Sequence, residues 1–169
     1  MLNAFSRRFL VLYLVLVVVS VSLQAQEQAG EKKEMHQTGH TLLMPTDLKW
    51  TDGPASLPKG TTAAVMEGDP SKPGPFTMRL KLPANYKIPS HWHPGIEHVT
   101  VLSGSFYMGL GESFDQSKAS KLSASGFAVM QVGTRHFAFT KEEALIQLHG
   151  IGPWGITYVN PADDPRSQH

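Results

Sequence analysis

The feature of this chain that most constrains its fold is a series of short segments with the two-residue alternation of β-strands. In residues 76–82 (FTMRLKL), apolar side chains alternate with polar or charged ones, as they do when a strand buries one of its faces. Further β-type segments occur at residues 61–66, 97–102, 105–110, 127–132, 136–140, 144–149 and 155–159. Turn signals rich in Gly, Pro and Asn separate them, and Ser103-Gly104 is predicted to form a hairpin turn.

Helical periodicity is not sustained anywhere after residue 40, and the strongest candidate, residues 116–121, is interpreted as a loop. Many short strands at regular intervals predict an all-β sandwich or barrel. The sequence contains no internal repeat, so we expect a single barrel domain over residues 41–160 and a C-terminal tail over residues 161–169.

The N-terminal residues have the pattern of a secretory signal peptide. Arg7 and Arg8 form a positive region, residues 9–19 are apolar, and a cleavage site precedes Gln26. The apolar stretch is shorter than the roughly 20 residues of a membrane span. We therefore expect residues 1–25 to be removed and the protein to be exported, periplasmic or secreted, without a stable membrane anchor. An uncleaved anchor is the alternative, and ordinary Sec export is favoured over twin-arginine export.

Charge and cysteine content narrow the classes of partner and of metal site. Residues 26–40 are polar and are expected to form a flexible leader. Loss of Arg7 and Arg8 changes the basic count from 15 to 13 against 14 acidic residues, and this balance argues against nucleic acid as a partner. The chain contains no cysteine, so a metal site must use nitrogen and oxygen ligands.

Two histidines and a carboxylate form the pattern that points most directly to chemistry. His91, His93 and Glu97 lie at offsets of 0, 2 and 6, and even offsets share one face of an extended strand. Imidazole nitrogen and carboxylate oxygen are ligands that Zn, Mn, Fe and Ni accept at catalytic centres. His136, which follows a glycine-containing turn, is a fourth candidate ligand, whereas His98 should point to the opposite face, outward or towards an oligomer contact.

The spacing His91-x-His93-x3-Glu97-x6-Gly104 resembles the first motif of the cupin superfamily, G-x5-H-x-H-x3,4-E-x6-G, with Asn85 at the leading glycine position. Residues 125–140 are similar to the second motif, G-x5-P-x-G-x2-H-x3-N. They keep Gly133 and His136 and carry Ser125, Gln131 and Thr140 at the other motif positions.

The resemblance covers roughly residues 61–159 and implies a double-stranded β-helix, the jelly-roll cupin barrel. It also implies one divalent transition metal, Fe, Mn, Ni or Zn, held by His91, His93, Glu97 and His136. The implied function is that of a metal-binding cupin that acts on a small organic molecule by dioxygenase-, isomerase- or decarboxylase-type chemistry.

Several alternatives remain open from the sequence. The chain is either a metal-dependent enzyme, a non-catalytic cupin that binds or senses a small ligand, or a barrel whose metal only stabilises it. Gln147 and His149 share a strand face, so they contact substrate if that face lines the barrel and lie on the surface if the alternate residues do. Exposed sheet edges favour a homodimer.

Overall fold

Antiparallel strands dominate residues 39–167, the part of the chain that the computed structural model describes. The strands are β1 (Thr51–Asp52), β2 (Thr62–Glu67), β3 (Gly74–Leu82), β4 (Lys87–Trp92), β5 (Glu97–Ser103), β6 (Ser105–Leu110), β7 (Ala119–Ser123), β8 (Phe127–Met130), β9 (His136–Phe139), β10 (Ala144–Gly152) and β11 (Thr157–Tyr158). Single turns of 3-10 helix lie at Pro45–Asp47, Gln116–Lys118, Pro161–Asp163 and Pro165–Ser167. Among these residues there is no helix of the length and hydrophobicity that a membrane crossing requires.

The predicted signal peptide at residues 1–25 lies outside the described residues, as do positions 26–38 of the predicted leader. The compact unit that begins at Leu42 contains all the strands given above.

The strands form two sheets that enclose one core. The six-stranded sheet has the order β1-β2-β3-β10-β5-β8, and the five-stranded sheet has the order β11-β4-β9-β6-β7. Every pairing is antiparallel. This confirms the all-β jelly-roll predicted from the sequence.

Side chains from both sheets fill the space between them. Phe76, Val99 and Ile146 of the six-stranded sheet are each at most 2 % exposed, and Ile88 and Phe106 of the five-stranded sheet are at most 5 % exposed. Complete burial of such a side chain stabilises the fold by about 1.5–3 kcal/mol relative to its exposure to water. Because the chain has no disulfide, this apolar core carries much of the stability.

Strand β4 was not predicted, because its sequence KIPSHW contains a proline and lacks a clean alternation. Ile88 pairs with Ala138 of β9 and His91 pairs with His136, and the register shifts between these two pairs. The shift is a bulge-type irregularity, which re-aims the side chains that follow it. Ile88 and His91 therefore both face the barrel interior, although an offset of three positions would place them on opposite faces of a regular strand.

Two other local predictions were wrong. The segment at residues 116–121, interpreted as a loop, contains a 3-10 turn and the start of edge strand β7. Ser103-Gly104 does not close a hairpin, because β5 and β6 belong to different sheets.

The turns explain where the sequence departs from the cupin motifs. Asn85 and Ser125, which occupy glycine positions of the two motifs, have φ of 57° and 69°. This left-handed region favours glycine, and asparagine is among the residues that tolerate it best. Gly104 has φ of 72°, and a Cβ there would clash with the carbonyl oxygen of Glu143. Glycine is therefore required at position 104 by both conformation and space.

Candidate metal centre

Four predicted ligand residues meet at one end of the barrel interior. His91 lies near the end of β4 and His93 just beyond it, Glu97 begins β5 and His136 begins β9. All four are at most 7 % exposed. Each of the three histidines has a nitrogen within 4.8 Å of a nitrogen of the others, which makes them a group that could hold a metal ion. The register pairs His91 directly with His136.

Each histidine ring is held by a main-chain carbonyl. The Nδ1 atoms of His91, His93 and His136 lie 2.7, 2.7 and 2.9 Å from the carbonyl oxygens of Pro89, Gly155 and Thr134. A carbonyl oxygen can only accept, so Nδ1 of each neutral ring carries the proton and donates it. The tautomer therefore leaves the Nε2 lone pair of each ring free to bind an ion, an arrangement typical of metal-ligating histidines.

Glu97 reaches the same point from the opposite sheet. Its Oε1 lies 3.6 Å from Nε2 of His93, and its Oε2 lies 3.2 Å from Nε2 of His136. Nε2 of His93 and Oε2 of Glu97 are buried and have no hydrogen-bond partner among the described residues. With the ring proton of neutral His93 on Nδ1, the contact between its Nε2 and Glu97 places lone pair against lone pair, which is costly away from water.

Burial sets the protonation state of the cluster. Burial lowers the pKa of His91 to about 3, and the neighbouring His136 and His93 act in the same direction. Burial also lowers the pKa of His93, against the opposing effect of Glu97. For Glu97, burial alone would raise the pKa, but the surrounding histidines, His136 foremost, hold it below its ordinary value. His91 and His93 are thus neutral at pH 7 and the carboxyl is ionised.

The donor set fits a divalent metal ion. Three imidazole nitrogens and one carboxylate oxygen are ligands of Zn, Mn, Fe and Ni sites. A cation placed among them would give partners to the two unpaired buried atoms and would replace lone-pair repulsion by coordination. Four protein ligands also leave room for exchangeable positions in a five- or six-coordinate site.

Trp154 completes one wall of the centre. Its ring stacks on the imidazole of His93 with a centroid separation of 4.2 Å and an interplanar angle of 17°. It also contacts Phe76 at 5.6 Å, and its buried Nε1 has no partner among the described residues. A Cβ at Gly95 would come within 3.2 Å of the Trp154 ring. The sequence did not predict this stack, because no motif links two residues so far apart in the chain.

The centre opens onto a cavity of about 40 Å³ between the sheets. This is space for about three water molecules. Apart from the four candidate ligands, its wall is almost entirely apolar and includes Met78, Ile88, Phe106, Ile146 and Leu148.

Gln147 and His149, the possible substrate-pocket residues, do not line this cavity, so the structure favours the surface alternative of the two that the sequence left open. Ile146 and Leu148 of β10 face inward, so the alternation of the strand turns Gln147 and His149 to the outer face of the six-stranded sheet. There Gln147 accepts a hydrogen bond from Nε of Arg79 at 3.1 Å. His149 stacks on His98 at 4.6 Å, and His98 points outward, as predicted.

Comparisons with known proteins identify the fold. No protein-family model matches the chain, and no curated protein matches it in sequence. Solved structures do match. The polyketide cyclase RemF from Streptomyces resistomycificus is 19% identical with a TM-score of 0.61, covering 75% of this chain and 90% of that one. A proposed acetylacetone dioxygenase from Methylibium petroleiphilum is 19% identical with a TM-score of 0.57, covering 75% and 85%. An RmlC-like cupin from Ralstonia eutropha is 21% identical with a TM-score of 0.56, covering 75% and 76%.

Proposed function

Because the chain has the cupin fold, we propose that it is a metal-dependent cupin enzyme that acts on a small organic molecule. The observation that carries this proposal is the convergence of His91, His93, Glu97 and His136 on one buried point. Three of these side chains have a tautomer that frees Nε2. In this proposal the four residues bind one Fe, Mn, Ni or Zn ion.

At such a centre, the candidate ligands and the residues of the cavity wall would have different roles. The ion would supply Lewis acidity towards a substrate oxygen, which suits dioxygenation, isomerisation and decarboxylation. The three imidazoles orient the site through their Nδ1 contacts. Among residues 39–167, Glu97 is the only acidic side chain that lines the cavity, so its carboxylate is the group best placed to hold a proton lost by the substrate. The apolar wall excludes bulk water and strengthens each charge interaction.

The similar solved structures support small-molecule chemistry. One is a polyketide cyclase and another is a proposed acetylacetone dioxygenase. Both names describe enzymes of oxygen-containing organic molecules. Their similarity to this chain is one of fold, so the reaction class proposed here stands on the site itself.

A non-catalytic cupin that binds or senses a small ligand is the second candidate. It is favoured by one observation: beyond the four candidate ligands, no titratable side chain from the described part of the chain lines the cavity. Such a site can capture a ligand without a separate acid or base to turn it over.

Metal analysis of matched variants tests the proposed site. Residues 26–169 of wild type, His91→Ala and His136→Ala are purified and their metal content is measured by elemental analysis. We expect about one metal ion per chain in wild type and a large loss in both variants. His149→Ala is the matched control, because it removes an imidazole from the outer face. Equal metal content in all four proteins would contradict the assignment.

Turnover then separates the two candidate functions. Metal-loaded protein is screened with catechols, diketones, flavonols and keto acids, with O2 uptake and product formation as readouts. Conversion of any class supports the enzyme, and stoichiometric metal with binding but no conversion supports the binding protein.

We also propose that the protein is exported. The support is the signal-peptide pattern of residues 1–25, and N-terminal sequencing of the protein isolated from cells should begin at Gln26. The homodimer expected from exposed sheet edges is likewise a proposal, and light scattering of the mature chain tests it.

A further inference from the structure

The barrel interior continues beyond the metal centre into a groove between two edge strands. β7 ends the five-stranded sheet and β8 ends the six-stranded sheet, so no described strand closes the interior between them. The groove has a volume of about 330 Å³. Leu122 of β7 and Ala128 and Met130 of β8 form part of its wall, and they pack against the core while remaining partly exposed.

The alternation of the strands shows that this groove belongs to the interior of the barrel. Met108 of β6 lines the cavity of the metal centre, so Leu110, two residues further on, faces the same way. Ser120 of β7 is paired with Met108 and shares its face. Leu110 lines the groove and is nevertheless 62 % exposed. An inward-facing leucine that the described residues leave so exposed indicates a place for an apolar ligand.

The groove lies directly beside the candidate ligands. Met130 is paired with Glu97 across β8 and β5, and Leu110 is paired with His136 across β6 and β9. Thr134, which also lines the groove, holds the ring of His136 through its carbonyl oxygen. The groove and the metal centre are therefore built on the same strands and the same turn.

The two spaces differ in what they can hold. The cavity at the centre, about 40 Å³, has room for a group of only a few atoms. The groove, at about 330 Å³, is roughly twice the size of an engineered cavity of about 150 Å³ that takes up benzene. None of the described residues that line the groove is charged. A substrate too large for the cavity would thus place its reacting group at the centre and an uncharged apolar part in the groove.

Met108 separates the two spaces. Among residues 39–167 it is the one residue that lines both the cavity and the groove, and its side chain is 7 % exposed. Methionine is unbranched and has three rotatable bonds, so it changes conformation more readily than the other apolar residues of a core. A change of its rotamer would join the cavity to the groove.

We propose that the groove binds the apolar part of the substrate and that Met108 is the gate between the groove and the metal centre. This proposal deepens the proposed function and rests on it. The substrate class is a small molecule in which a metal-binding oxygen group is joined to an uncharged apolar part, about one or two aromatic rings in size.

An uncharged fluorescent probe tests the groove without a metal. N-phenyl-1-naphthylamine is titrated into metal-free wild type, Ser120→Trp and Ser123→Trp. Ser120→Trp fills the groove from β7, whereas Ser123→Trp places the same ring at an exposed position on the outer face of that strand. We expect wild type and Ser123→Trp to bind the probe alike and Ser120→Trp to bind it at least about tenfold more weakly, because the apolar surface of the groove is then covered.

A matched pair of metal-binding ligands tests whether the groove and the centre are continuous. Acetohydroxamate and 3-phenylpropanohydroxamate share one head group, and only the second has an apolar part that can reach the groove. Binding to Co²⁺-loaded protein is followed by the visible spectrum of the ion. We expect 3-phenylpropanohydroxamate to bind wild type at least about tenfold more tightly. Ser120→Trp should bring the two affinities within about threefold, and Ser123→Trp should keep the preference.

The rate of ligand association tests the gate. Met108→Ala removes the side chain between the two spaces and should speed the association of 3-phenylpropanohydroxamate with Co²⁺-loaded protein at least about tenfold, measured by stopped-flow absorbance. Met108→Leu conserves the volume of the side chain and should change this rate by no more than about threefold. Met108→Val takes the place of the alanine variant if that protein does not fold.

The outcomes separate this inference from the proposed function. Equal probe binding by wild type and Ser120→Trp, or none by either, overturns the groove as a ligand site and leaves the metal site standing. Probe binding that weakens as the protein concentration rises also overturns it, because a second copy of the chain then covers the groove. An association rate that is the same in wild type and Met108→Ala overturns the gate. If Co²⁺ does not bind, or binds equally to His136→Ala, the proposed function itself fails.

Discussion

Acidification of the metal-free protein should destabilise it through the buried histidines, His91 above all. His91 is 3 % exposed, and burial lowers its pKa in the folded chain to about 3. In the unfolded chain its pKa returns to about 6.5. Because the folded pKa is depressed, the unfolded state binds more protons between these two values, and the stability falls as the pH falls through that window.

The size of the effect between pH 7 and pH 5 follows from those two pKa values. At pH 5 the unfolded imidazole is about 1.5 pH units below its pKa and almost fully protonated, while the folded imidazole stays neutral. At 1.36 kcal/mol per unit, His91 alone lowers the free energy of unfolding by about 2 kcal/mol. This figure hardly changes if the folded pKa is 4, because the folded ring is then still mostly neutral at pH 5.

Urea unfolding in the presence of a chelator measures this loss. Wild type and His91→Asn are compared at pH 7 and pH 5, with His149→Asn as the control on the outer face. We expect wild type to lose about 2 kcal/mol more than His91→Asn over this interval, and His149→Asn to behave nearly as wild type. The lowered pKa of His93 adds to the loss in both proteins. Glu97 contributes little here, because its depressed pKa moves its own loss of stability below pH 4.5. If wild type and His91→Asn lose the same stability, His91 is not held neutral by burial and the reasoning fails.

Three further predictions concern the metal, a turn and the wall of the site. Addition of Co²⁺ at 100 times its dissociation constant should raise the free energy of unfolding by about 2.7 kcal/mol, measured by urea titration. The same addition should leave the free energy of unfolding of His136→Ala unchanged. Gly104→Ala should destabilise the protein by more than about 1 kcal/mol, measured by thermal unfolding, because φ is positive and Glu143 blocks a Cβ. Gly133→Ala should cost less, because φ there is 73° and a Cβ meets no atom within 4 Å. Trp154→Phe should keep the stack on His93 and change the Co²⁺ affinity severalfold at most, whereas Trp154→Ala should weaken the Co²⁺ affinity by about tenfold. Competition with a chromophoric chelator measures both affinities, and equal affinities would refute a positioning role for the ring.

The sequence predicted the architecture because a strand that buries one face alternates apolar and polar residues. Segments such as β3 alternate with a period of two, and every residue that faces the core is apolar. The cluster of candidate ligands was also predictable from the motif spacing. The reason from a single extended strand was wrong, because β4 ends at Trp92 and Glu97 begins β5 in the other sheet. Whether these residues bind a metal remains a prediction.

Three features could not be predicted, for reasons of geometry. The register shift in β4 changes which residues face inward, and the pattern KIPSHW does not show it. The orientation of Gln147 and His149 depends on which face of β10 is covered, and both faces of that strand contain apolar residues. The stack of Trp154 on His93 joins distant parts of the chain, and only the folded barrel brings them together.

Among the described residues, the Nδ1 atoms of the three imidazoles of the centre are held by main-chain oxygens and by no side chain. Pro89, Thr134 and Gly155 each contribute only a carbonyl, so the orientation of the rings depends on the path of the backbone rather than on the identity of its residues. A mutational scan should therefore find the candidate ligands intolerant of change and positions 134 and 155 comparatively permissive. The sequence around this centre is free to diverge while its geometry persists, and comparison of sequences alone would then underestimate how widely the geometry is shared.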